Sequence, residues 1–71
     1  MSNQALKRGD RVEWNYRGRT VAGRVQRKLT APAEIGGRRA NASREDPRYV
    51  VKSDKSGKEV AHRAEVLRKA G

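Results

Sequence analysis

Polar and apolar residues alternate most cleanly at positions 11 to 16, where Val12, Trp14 and Tyr16 interleave with Arg11, Glu13 and Asn15. Successive side chains of a strand point to opposite faces, so this period of two predicts a half-buried β-strand. Ahead of it, Lys7-Arg8-Gly9-Asp10 reads as a turn into the strand, and residues 1–6 read as a disordered lead. Arg17-Gly18 follows as a turn, with Gly18 free to take a positive φ. A second run, residues 19–29, places Val21, Gly23 and Val25 on one face and Thr20, Ala22, Arg24, Gln26 and Lys28 on the other. Gly23 inside this run predicts a bulge or a sharp bend.

The alternation fails over residues 30–47, which hold Pro32, Gly36, Gly37, Asn41, Ser43 and Pro47. A connector of this length is unusual in a compact domain, and it is expected to be the most mobile internal segment. Within it, Gly36-Gly37 between Ile35 and Arg38 predicts a small hairpin. Ser43-Arg44-Glu45-Asp46 can cap one helical turn, which Pro47 ends because it disfavours helical geometry at Asp46. Periodicity returns with Tyr49-Val50-Val51-Lys52-Ser53, a run rich in β-formers. Asp54-Lys55-Ser56-Gly57 is a hairpin turn, and residues 58–62 form the returning strand. Residues 63–69 read two ways, their Val66-Leu67 pair ending a short helical turn or starting a last strand. Short strands, Gly-rich turns and no amphipathic helix predict an all-β domain over residues 7–69, a small open barrel of about five strands. Val12, Trp14, Val25, Val51 and Val60 are its expected core.

Several of these runs resemble a known family of short bacterial and fungal proteins. In the first half they are Arg8-Gly9-Asp10-Arg11-Val12-Glu13-Trp14, Gly23-Arg24-Val25 and Arg27-Lys28-Leu29-Thr30. In the second they are Asn41-Ala42-Ser43, Asp46-Pro47-Arg48-Tyr49-Val50-Val51, Ser53-Asp54-Lys55-Ser56-Gly57-Lys58, Ala61-His62 and Leu67. The family is the hypervirulence-associated protein Tudor-like domain, and the resemblance covers nearly the whole chain. It implies a Tudor-type, SH3-like β-barrel and no reaction. Ala64 stands where family members often carry a proline, so the geometry ahead of the last strand is left open by the resemblance.

Composition narrows the function classes. The chain of 71 residues has no cysteine, which excludes disulfides and thiolate zinc sites. A secreted domain this small usually carries disulfide staples, so their absence points to a reducing cytoplasm. No apolar run approaches membrane-spanning length, and no membrane contact is expected. Eighteen Lys and Arg face eight Asp and Glu, a formal charge of +10. Such a field attracts polyanions. Arginine outnumbers lysine twelve to six, and a GC-rich coding bias or the need for solubility gives the same composition without a ligand.

The single histidine, His62, has no nucleophile or ligand set around it in sequence, and Glu45-Asp46 reads as a turn former. No catalytic residue, metal or cofactor is expected. Trp14, Tyr16 and Tyr49 are the whole aromatic supply, too few to fill a core and also build a cage for a methylated ammonium group. The expectation is a monomeric, non-catalytic binding module with an unknown protein partner. The alternative is weak nucleic-acid binding that ignores sequence. Candidate polyanion contacts are Arg17, Arg19, Arg24, Arg27, Lys28, Arg38 and Arg39, with Tyr16 as an exposed aromatic contact. Lys52, Lys55 and Lys58 are expected to lie apart from such a site.

Overall fold

A computed structural model describes residues 6–70. The strands are β1 (Arg11–Tyr16), β2 (Arg19–Leu29), β3 (Ala33–Ile35), β4 (Arg38–Ala40), β5 (Arg48–Ser53), β6 (Glu59–His62) and β7 (Arg68–Lys69), with one 3-10 turn at Ala64–Val66. Five of them form an antiparallel sheet in the order β6-β5-β2-β1-β7, and β3 and β4 pair as a separate hairpin. The edge strands β6 and β7 are not bonded to each other, so the sheet is not a closed barrel. Residues 1–5 of the expected lead lie outside the described residues. Leu6, the last of that lead, is buried against the core instead, because an apolar side chain gains more from burial than its backbone loses in freedom.

The alternation in β1 does what it implies: Val12 and Trp14 are buried while Arg11 and Asn15 are exposed. They join Val25, Tyr49, Val51, Leu6 and Leu67 in a first core on one face of the sheet. Val60, expected among the core residues, is only partly buried because β6 is an edge strand with no neighbour beyond it. Tyr16 shares the period of Val12 and Trp14 but is 54% exposed. It pairs with Arg19 at the very end of the ladder, past the limit of the core.

The irregularity expected at Gly23 lies elsewhere. The register of β2 against β5 shifts between Val25 and Arg27, so Gln26 is the extra residue. The shift moves Lys28 opposite Tyr49 and turns Leu29 to the other face. There Leu29 meets Val50, Ile35, Ala40 and Ala42 in a second core, which the β3–β4 hairpin covers. The connector at 30–47 is thus no plain loop: its predicted hairpin forms and supplies the buried Ile35 and Ala40, and Ala42 just after it is buried as well. Its tip, Gly36-Gly37, has φ values of 59° and 81°, the doubly positive pattern of a tight two-residue turn. Gly36 packs so close to the Glu59 carbonyl that any side chain there would collide with it, which ties the hairpin to β6. At the C-terminal end both readings of residues 63–69 hold in part. A single 3-10 turn closes with the Leu67 N–H donating to the Ala64 carbonyl at 3.0 Å, and Leu67 then enters the first core ahead of β7.

Candidate polyanion-binding groove

Three turns rise around one side of the sheet: β1–β2, β5–β6 and the tip of the β3–β4 hairpin. Between them runs an open groove along β6, with Val21, Val60 and His62 in its lining. Tyr16 and Arg19 flank it from the β1–β2 end, Arg38 and Arg39 from the hairpin, and Lys55 and Lys58 from the β5–β6 turn. Asp54 and Glu59 are its acidic members, and Asp54 is already engaged by Arg11 at 3.3 Å. Among the described residues the ion-paired cations are Arg11, Arg48, Arg63, Arg68 and Lys69. Arg19, Arg38, Arg39, Lys55 and Lys58 make none of these pairs and are exposed. Unneutralised like charges around a concave surface focus the field there and raise the local concentration of anions.

The β1–β2 turn carries a second mark. Arg17 has φ 52° and Gly18 φ 77°. Turns of this kind favour Asn, Asp or Gly at the first position, and a long side chain in that left-handed region costs about 1 kcal/mol. The turn places the Arg17 guanidinium over the Tyr16 ring, 5.3 Å from its centroid.

The other candidates from the sequence lie apart from the groove. Arg24 sits in mid-sheet, directly between Arg11 on β1 and Lys52 on β5. Like charges in opposed positions repel; Glu13 lies two residues along β1 from Arg11, Glu59 stands opposite Lys52, and Asp54 pairs with Arg11, which offsets part of that repulsion. Arg27 stands opposite Val50, and Lys28 reaches over Tyr49 with Nζ 6.0 Å from the ring centroid. Lys55 and Lys58, expected from the sequence to lie apart, belong to the groove's rim; only the hairpin packing brings Arg38 round to meet them, and no local pattern signals it. Trp14 and Tyr49 are buried, so no set of rings meets at an exposed rim.

His62 and Asp46 both contact other side chains. His62 stacks obliquely on Trp14, with ring centroids 5.7 Å apart and planes at 51°. Burial first, and the nearby Arg48 charge second, hold its pKa below the ordinary 6.5. Asp46 accepts ion pairs from Arg48 and Arg63, each at 3.3 Å, fastening the end of the connector to the segment after β6. Because folding disfavours the His62 imidazolium, the unfolded chain binds its proton more readily. The stabilising contribution is therefore complete above about pH 6.5 and is lost as pH falls through the lowered pKa of the folded state. Melting temperatures of the protein and of His62→Gln should converge as the pH is taken from neutral to about 5. Parallel curves would show that His62 titrates as it does in the unfolded chain.

An open five-stranded antiparallel sheet, with a 3-10 turn before its last strand and no α-helix among the described residues, defines a small Tudor-like, SH3-like β-domain. Residues 9–67 match the family described as hypervirulence associated proteins TUDOR domain, and the chain belongs to that family. No curated protein and no solved structure matches it.

Proposed function

We propose that this domain is a non-catalytic binding module that holds a polyanion, a nucleic-acid backbone, in the groove along β6 by charge and without reading sequence. The observation that carries this reading is the gathering of five exposed cations without ion pairs, Arg19, Arg38, Arg39, Lys55 and Lys58, on one concave surface; other exposed cations also lack ion pairs, but they do not line it. The engagement of His62 with Trp14, and of Asp46 with two arginines, supports a role in which no side chain does chemistry.

Titrating labelled nucleic acid against salt tests the reading. Binding is expected at low salt and should fall steeply toward physiological strength, where the screening length is about 8 Å. Arg19→Glu, Arg38→Glu and Lys58→Glu together should abolish it. Taken singly, each should lower the log–log salt slope by about one for every phosphate it no longer neutralises. Arg24→Glu, Arg27→Glu and Lys28→Glu change the net charge by the same amount away from the groove, and should leave most of the binding intact. Equal losses in both triple variants would mean that net charge alone attracts the ligand. No binding at low salt would leave a protein partner as the better reading.

A further inference from the structure

We infer that the groove takes single-stranded nucleic acid, with a base stacked on Tyr16 and neighbouring phosphates held by Arg17, Arg19 and Arg38; this rests on the polyanion reading above and narrows it. Among the described residues Tyr16 is the most exposed of the large hydrophobic side chains, and β1 carries it past the core to the groove's end. Arg19 is its cross-strand partner, so a ring and an unpaired cation stand side by side on adjacent strands, about 5 Å apart at the backbone. Arg17 adds a guanidinium against the same ring, held there by a turn whose backbone a less costly residue would satisfy.

Phosphate binding alone would need only the cations. An exposed ring beside them, with the half-buried Val21 and Val60 in the lining, rewards a ligand that offers flat apolar faces at intervals between its charges. A single strand does this, since every unpaired base has a π-face. A duplex hides those faces in its own stack, and an acidic peptide has no regular series of them. Stacking on one ring also tolerates any base, in keeping with a surface that reads charge rather than sequence.

Anisotropy titrations at fixed low salt test the inference with four probes: oligo-dT, oligo-U, a DNA duplex of equal length, and poly-glutamate. Both single strands should bind more tightly than the duplex or the acidic polymer. Tyr16→Ala should weaken the single strands by about fivefold or more and leave the duplex unchanged, and Tyr16→Phe should restore most of the loss. The exposure of Tyr16 makes the alanine variant compatible with folding, and an unchanged melting curve checks this. Equal affinity for oligo-dT and oligo-U, or a preference for oligo-U through its 2′-hydroxyls, both support the inference. Single strands binding no tighter than duplex, or Tyr16→Ala without effect, would overturn it while the polyanion reading stands. Poly-glutamate binding as tightly as oligo-dT would overturn it in favour of an acidic protein partner. Absence of binding to all four probes would remove both readings together.

Discussion

Trp14→Ala is expected to unfold most of the population at ordinary temperature. The side chain is 3% exposed and lies in the first core with Val12, Val25 and Val51, its ring against His62. Truncating a buried tryptophan to alanine costs about 3–5 kcal/mol, the lost transfer free energy adding to the cavity left behind. A domain of this size stands near the low end of the usual range of about 5–15 kcal/mol, so little or nothing is left. The core has little room to collapse and offset the loss, because β1, which carries Trp14, is hydrogen-bonded on both sides, to β2 and to β7. Circular dichroism is the proper readout, since the substitution removes the only tryptophan. A melting temperature lowered by less than about 10 °C would show that Trp14 carries far less of the core than its burial implies.

Gly23→Ala is expected to cost about 3 kcal/mol although it adds only one methyl group. The backbone at Gly23 is ordinary strand, so alanine meets no conformational penalty there; by itself the exchange would stabilise by about 0.4–1 kcal/mol through the unfolded state. The obstacle is space. A Cβ at this position would overlap the backbone carbonyl of Lys52 on β5 and come within 2.9 Å of Cη2 of Trp14. The carbonyl can retreat only if β5 moves away from β2, and that pairing is one of the two interior pairings of the sheet. Denaturant midpoints of the protein and the variant decide the sign. A variant as stable as the parent would mean that β2 and β5 can separate locally without loss.

The sequence was legible where large side chains alternate and opaque where small ones do the packing. Val12 and Trp14 announced their strand and its inner face because each is bulky and each has polar neighbours. The second core escaped notice because Ala33, Ala40 and Ala42 contribute to it, and alanine gives a weak apolar signal in any pattern. Val50 and Val51 are both fully buried although adjacent, which a period of two reads as ambiguity; it is the mark of a strand covered on both faces. The bulge at Gln26 has no glycine to betray it, whereas Gly23 invited a bulge and instead relieves a close approach of two strands. The groove was half legible. Tyr16, Arg19, Arg38 and Arg39 were candidates in the sequence, but their meeting with Lys55 and Lys58 is a product of how the hairpin docks, which no run of residues encodes locally.

The β3–β4 hairpin also shapes the route by which the chain folds. β1 with β2, and β5 with β6, are neighbours in sequence and can zip early from tight turns. Joining β2 to β5 requires the chain to close the span from Leu29 to Arg48. With residues 33–40 already paired to one another, the free loop is nearly halved, which lowers the closure entropy by about half a kcal/mol. The folded hairpin also brings Ile35 and Ala40 to the join as a ready apolar face. An excursion that looks like an interruption of the sheet is, for the kinetics of assembly, a shortcut between its two halves.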